Sequence, residues 1–194
     1  VEIRQLKIRS ATDSDRDAIW KIFHEVVAAG DTYALDPKMS REEALDYWLR
    51  AGTHTYVAEQ HAESVGEGVT FPGTATPSPT APVKSRLVVG TYILRANQAG
   101  PGSHVANAAF MVGPDSQALG VGRRMAEDCL SEARRMGFRA MQFNFVVSTN
   151  ASAVRLWQQL GFQIVGTLPG AFRHPQAGYV DVYVMFRSLL QGWP

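Results

Sequence analysis

Apolar positions along the chain switch repeatedly between a period near two and a period near 3.6, which predicts strands and helices mixed in one α/β or α+β domain. Residues 5–10 alternate as a first strand. Thr12 or Ser14 can cap a helix running to about Ala29, with Ile19, Ile22, Phe23, Val26 and Val27 along one face and Gly30 ending it. Ser40-Arg41-Glu42-Glu43 reads as a capping box that opens a second helix and turns Leu45, Trp48 and Leu49 inward. A short strand covers 55–59. Longer strands cover 86–94 and 104–112, joined by a Gly/Pro/Asn turn region at 97–103. A helix over 119–136 stops at Gly137, a strand follows at 140–147, and a helix over 152–160 stops at Gly161. Strands at 162–168 and 179–186 close the chain, so the pattern predicts about seven strands and about four helices.

One stretch breaks the pattern. Residues 61–85 carry Pro72, Pro77, Pro79 and Pro82 among Gly, Ser and Thr with little periodicity, which predicts a surface loop inserted in the domain. The length of 194 residues suits a single domain over 1–194. A net charge of +1 gives no reason to expect nucleic acid or an anionic membrane as a partner. No run of about 18 apolar residues suggests a membrane span. Cys129, the single cysteine, excludes an intramolecular disulfide and fits a reducing compartment. The first residues, V-E-I-R-Q-L-K-I-R-S, lack the apolar core of a signal peptide, so a cytoplasmic location is expected.

The segment M-V-G-P-D-S-Q-A-L-G-V-G-R-R-M sets a glycine-containing loop between a strand and a long helix. Unpaired N–H groups at a helix N-terminus carry partial positive charge and attract phosphate oxygens. Gly120 and Gly122 remove Cβ atoms where a diphosphate would press on the backbone, and Arg123 and Arg124 add positive charge. The other reading of G-x-G before a helix is a helix start with tight packing. A dinucleotide-binding loop would need a third glycine straight after the first strand, and a P-loop would need G-x-x-x-x-G-K-[ST]; neither occurs.

Gln117-Ala118-Leu119-Gly120-Val121-Gly122 resembles the Q/R-x-x-G-x-G/A signature of the GCN5-related N-acetyltransferase (GNAT) superfamily. V-S-T-N-A-S-A-V-R-L-W-Q-Q-L-G-F is similar to that family's second motif, N-x-x-A-x-x-L-[Y/W/H]-x-x-x-G-F, with Asn150, Ala153, Leu156, Trp157, Gly161 and Phe162 in place. The opening I-R-S-A-T-D-S-D also resembles the family's first strand and helix start. Within the family, H-V-A-N-A-A-F-M-V, Q-F-N-F-V-V-S-T-N and G-T-L-P-G-A-F-R-H-P-Q-A-G-Y-V-D-V-Y-V-M look most like the branch that acetylates L-azetidine-2-carboxylate and related proline analogues. Phosphinothricin acetyltransferases are the next neighbours.

The resemblance implies a mixed, mostly antiparallel sheet splayed at the cofactor site, with acetyl-CoA as co-substrate, no metal, and a small-molecule amine as acceptor. It implies that the pantetheine arm lies between the strands at 104–112 and 140–147, pairing with backbone groups of Phe110, Met111 and Val112. Gln117, Ala118, Leu119, Gly120, Val121, Gly122 and Arg123 would hold the diphosphate, and Asn150 the pantetheine arm. Trp157 stands where many relatives place a Tyr that protonates the leaving thiolate. Indole N–H is a donor only, so Trp157 either packs on the cofactor or is a plain core aromatic. Asn107 and Asn144 sit among apolar neighbours on strands, where asparagine is disfavoured. A buried amide left without a partner costs about 1–3 kcal/mol, so each meets either a ligand carboxylate or carbonyl or a sheet-internal partner. The resemblance assigns both to acceptor positioning.

No Asp or Glu lies in either central strand, so no general base is named; His104, His174, Asp181 and Tyr183 are the other titratable candidates. Arg173 and His174 fall in an expected loop that could meet a substrate carboxylate. The expected function is N-acetylation of a small amino acid or analogue, proline-like and of a detoxifying kind. The rivals are acetylation of a primary α-amine of phosphinothricin type and an acyl-CoA sensor without turnover. Peptide acetylation would call for an acid-lined groove, and no such carboxylate cluster is present. Many members of the family dimerise through terminal strands, which allows a homodimer here.

Overall fold

A computed structural model describes residues 6–63 and 84–190. In chain order the elements are β1 (Leu6–Ser10), α1 (Arg16–Ala28), α2 (Arg41–Leu49), β2 (His54–Glu63), β3 (Lys84–Ala96), β4 (Val105–Val112), α3 (Val121–Arg135), β5 (Ala140–Val147), α4 (Ala151–Gln159), β6 (Gln163–His174) and β7 (Gly178–Ser188). The seven strands form one sheet in the order β1-β2-β3-β4-β5-β7-β6. Every neighbouring pair is antiparallel except β4 and β5, which are parallel. This is the mixed, mostly antiparallel arrangement expected.

Alternation along the central strands sends side chains to two helical layers. On one face Val57, Ile93 and Met111 pack under α1 and α2 through Ile19, Phe23, Leu45 and Trp48. On the other, Tyr92, Leu94, Ala106 and Ala108 pack under α3 and α4 through Met125, Cys129 and Trp157. The buried indole of Trp48 donates to Thr91 Oγ1 at 3.0 Å, and that hydroxyl donates to the Tyr56 carbonyl at 2.8 Å, so both of these buried side chains are satisfied. The Ser40–Glu43 capping box forms as expected at the start of α2.

Several boundaries move, each for a local reason. Helix α3 starts at Val121 rather than residue 119, because Ala118 (φ 61°) and Gly120 (φ 80°) take left-handed backbone that no helix continues. Strands β6 and β7 run well past residues 162–168 and 179–186. β6 carries Pro169 and Gly170 through an irregularity between Leu168 and Phe172, a device that lets strand pairing survive breaker residues. The expected loop at 61–85 is shorter at both ends, since His61↔Arg86 and Glu63↔Lys84 are still rungs of the β2–β3 ladder; its remainder, 64–83, lies outside the described residues. Among the described residues no helix is long and apolar enough to cross a membrane.

Candidate active site

The single parallel pair decides where the site lies. β4 and β5 are in register only at Val105↔Ala140 and Ala106↔Met141, after which the strands part. Beyond that point a cleft of about 1210 Å³ opens along β4, the loop before α3, the start of α4 and the α1–α2 connection. Splayed parallel strands leave backbone N–H and C=O groups facing a gap, and such groups demand partners.

The loop before α3 forms one wall. Pro114–Ser116 makes a short 3₁₀ turn, and the left-handed Ala118 and Gly120 then swing the chain into α3. The first rung of that helix is the Arg124 N–H to the Gly120 carbonyl at 3.1 Å, so the N–H groups of Val121, Gly122 and Arg123 have no partner within the helix. A Cβ on Gly122 would meet Val112 and Leu156 no closer than 3.7 Å, so protein packing alone does not require a glycine there. Gln117, Ala118, Gly120, Val121 and Gly122 line the cleft, whereas Leu119 packs towards the α3 core. Arg123 is also absent from the wall: its guanidinium donates to Gln159 and lies 3.9 Å from Glu127. Only its backbone N–H remains free at the loop.

Phe110, Met111 and Val112 line the cleft from β4, and Asn150 and Trp157 line it from α4. Asn150 is the N-cap of α4, its Oδ1 accepting from the Ala153 N–H at 3.2 Å and from Ser152 Oγ at 3.0 Å. Trp157 is buried in an aromatic cluster, with ring centroids 5.0 Å from Phe110 and 4.6 Å from Phe143. Asn107 and Asn144 both reach the same cleft, and both have protein partners. Asn107 Nδ2 donates across the gap to the Gln142 carbonyl at 2.9 Å, just past the last registered pair. Asn144 Oδ1 accepts from Gln142 Nε2 at 2.7 Å, and its Nδ2 donates to Asn97 Oδ1 at 2.6 Å. Asn107 lines the cleft, and among the described residues only its Nδ2 is engaged, so its Oδ1 has no protein partner there.

The titratable candidates separate clearly. His104, Asp181 and Tyr183 do not line the cleft. His104 Nδ1 lies 3.0 Å from the Pro101 carbonyl, and Asp181 accepts from the Gly170 N–H at 3.0 Å. Arg173 and His174 are in β6, not in a loop; Arg173 stays off the cleft wall. His174 is on it, with Nδ1 accepting from the N–H groups of Gln176 and Ala177. Burial raises the Cys129 thiol well above its ordinary pKa inside α3, which makes it an unreactive core residue.

Three kinds of residue in the cleft escape a strand-by-strand reading. Glu25 and Asp31 supply carboxylates from α1 and the turn after it. Arg95 lies one residue beyond the expected end of its strand, opposite Asn107. Tyr33, in the α1–α2 connection, inserts its hydroxyl against β4, donating to the Phe110 carbonyl at 2.6 Å and accepting the Phe110 N–H at 3.1 Å. Burial is the main cause that raises the phenol pKa, so Tyr33 stays protonated. The only signal for it in the sequence is an aromatic in a short polar connection.

Residues 20–162 match the profile described as the acetyltransferase (GNAT) family. The chain belongs to that family. It is 33% identical over 159 residues to N-acetyltransferase aca1 of Schizosaccharomyces pombe, covering 81% of this chain and 72% of that protein. It is 41% identical to a GCN5-related N-acetyltransferase from Kribbella flavida whose solved structure has a TM-score of 0.78, covering 94% of this chain and 97% of that one. A GNAT superfamily phosphinothricin acetyltransferase from Sinorhizobium meliloti, solved in complex with acetyl-CoA, shares the fold at 17% identity and a TM-score of 0.72, covering 95% of this chain and 89% of that one. As a GNAT member the chain is an acetyl-CoA-dependent N-acetyltransferase. The wall before α3 presents free helix N–H groups beside an uncrowded glycine, the kind of chemistry a diphosphate requires. Among the described residues no cluster of three or more His, Cys, Asp or Glu could hold a metal ion.

Proposed function

We propose that this GNAT acetylates the amine of a small amino acid or analogue, with a proline-like cyclic amine of the azetidine-2-carboxylate type as the first choice. The observation that carries this reading is that the diphosphate cradle and the Asn107/Asn144 pair open onto one cleft, beyond the point where β4 and β5 part. A donor spanning from the cradle into the gap would deliver its thioester beside Phe110, and the acceptor would reach it from the side of Asn107 and Asn144.

Acetyl-CoA supplies an acyl group already activated as a thioester. The chain's part is to align a neutral amine with it, to polarise the carbonyl and to keep the departing thiolate near a proton source. The C–N bond forms as the C–S bond breaks, and the ammonium proton leaves with the thiolate or with water. An α-amine of pKa about 8 needs little help to become neutral near pH 7, whereas a more basic amine, such as that of a free cyclic amino acid, needs a proton acceptor such as ordered water. Trp157 cannot act as the acid, whereas burial keeps the Tyr33 phenol protonated.

Tyr33 bears directly on donor binding, because its hydroxyl takes both Phe110 backbone groups that the pantetheine or the acetyl carbonyl would need. A bound donor must displace those bonds, each worth about 1 kcal/mol net. Tyr33→Phe, which removes both, is therefore expected to tighten acetyl-CoA by up to about 30-fold in isothermal titration calorimetry. Weakened binding would mean that the hydroxyl holds the donor instead of competing with it.

Acetylation of a primary α-amine is the alternative, favoured by the fold shared with the phosphinothricin acetyltransferase. Thiol release from acetyl-CoA, followed with L-azetidine-2-carboxylate and with primary α-amino acids including phosphinothricin, separates the two. The first choice expects a higher kcat/KM with the cyclic secondary amine; a higher value with a primary amine transfers the assignment to the alternative.

A further inference from the structure

Arg95, like Glu25 and Asp31, is a charged group in the cleft that acetyl transfer as described leaves without a task. It sits on β3 directly opposite Asn107 of β4, two residues beyond Ile93, and so points to the same face as the α1–α2 layer. Its guanidinium carbon lies 5.7 Å from the ring centroid of Tyr47, which supports the planar cation from one side. Nη1 is buried and has no hydrogen-bond partner among the described residues, and no carboxylate there comes within ion-pair distance of the side chain. A desolvated guanidinium N–H without an acceptor is costly, and proteins keep such an arrangement where a ligand completes it.

We infer that Arg95 binds the carboxylate of the acceptor and so makes this enzyme select amines that carry a carboxylate close by. The inference rests on the proposed acetylation of an amino acid and names the group that recognises it. Guanidinium presents paired N–H donors at the spacing of carboxylate oxygens, a fit that an ammonium or an amide lacks. With the carboxylate on Arg95, Oδ1 of Asn107, on the neighbouring strand, is placed to accept from the acceptor's amine. The amine is then directed along β4 towards Phe110, where the strands part. Arg95 thus fixes both the class of acceptor and the direction from which its nitrogen approaches. Arg173 and His174 are not needed for the carboxylate.

The test compares acceptor pairs differing only in that group: L-azetidine-2-carboxylate, L-proline and L-alanine against their primary carboxamides. Wild-type enzyme is expected to prefer the acid by about 100-fold in kcat/KM, since a site built around a charged hydrogen bond rejects an analogue that cannot complete it. In Arg95→Gln that ratio collapses towards one, mainly through KM for the acid, and Arg95→Lys restores only part of it. Acetyl-CoA affinity, measured in parallel, reports that the fold and the donor site are intact. An Arg95→Gln variant that loses acid and carboxamide turnover in equal measure, or that keeps the wild-type ratio, overturns the inference. Wild-type turnover of carboxamides but not acids overturns it while leaving acetyl transfer in place. Thiol release with neither member of any pair sinks the amino-acid reading and the inference together.

Discussion

Gly122→Asp is expected to remove most acetyl-CoA binding while leaving the fold as stable as before, or more so. Gly122 is the second residue of α3, and a Cβ there meets Val112 and Leu156 only at ordinary contact distances of 3.7 and 4.0 Å. A carboxylate in the first turn of a helix stabilises it by about 0.3–1 kcal/mol. The same carboxylate would stand among the N–H groups of Val121, Gly122 and Arg123, where the donor's diphosphate is placed. Two like charges about 4 Å apart repel by about 4 kcal/mol at the effective dielectric of a protein surface. Half of that already weakens binding about 30-fold. Calorimetric titration with acetyl-CoA, paired with a thermal melt, separates the two effects. A dissociation constant within a few-fold of wild type would remove the diphosphate from this loop.

The second large effect concerns stability. Arg9 donates to both carboxylate oxygens of Asp15 at 2.8 Å and, through Nε, to Glu59 at 2.8 Å, tying β1 to the start of α1 and to β2. Asp15 is 4% and Glu59 1% exposed, so Arg9→Met strands two buried carboxylates. Thr12 still serves Asp15 through its N–H and hydroxyl, which leaves Glu59 the worse affected. Breaking a buried pair by removing one partner costs about 3–5 kcal/mol, a large share of the roughly 5–15 kcal/mol of a typical domain. Denaturant unfolding at pH 7 measures the loss; a change below about 1 kcal/mol would show that the network does not support the fold.

The pH dependence carries its own sign. Hydrogen bonds from Arg9 chiefly lower the Asp15 pKa, while burial raises that of Glu59 and is outweighed by its bond and charge contact with Arg9, so both end below their ordinary values. Their contribution is therefore complete above the unfolded carboxylate range, near pH 4, and is lost as pH falls through the lowered folded values. In Arg9→Met the burial of Glu59 is offset only by the charges of Arg86 and Lys7, so its pKa rises, and the variant should lose stability relative to wild type as pH increases from about 4 to 7.

Much of this molecule is legible in its sequence, for reasons that particular residues make plain. The capping box at Ser40 and the face Ile19, Ile22, Phe23 and Val27 depend on near neighbours, and local chemistry suffices to place them. The loop at 117–122 is legible because helix-end chemistry is also local, although the left-handed Ala118 that delays α3 is not foreshadowed by a glycine. Asn107 and Asn144 stand out as polar residues on strands, yet their partners Gln142 and Asn97 appear only once β4 and β5 lie side by side. Tyr33 meets Phe110 across 77 positions of chain, and no periodicity links them. Arg95 looks like a solvent-facing strand end until Tyr47 of α2 covers it. Residues that act through long-range juxtaposition are thus the ones the pattern leaves out, and here they gather in the cleft.

A crystal structure of the enzyme with acetyl-CoA tests the central claim most directly. The diphosphate oxygens are expected within hydrogen-bonding distance of the N–H groups of residues 118–123, the pantetheine arm in the gap between β4 and β5, and the Tyr33 hydroxyl displaced from Phe110. Coenzyme bound with its diphosphate away from that loop, or with β4 and β5 closed over an empty gap, would contradict it.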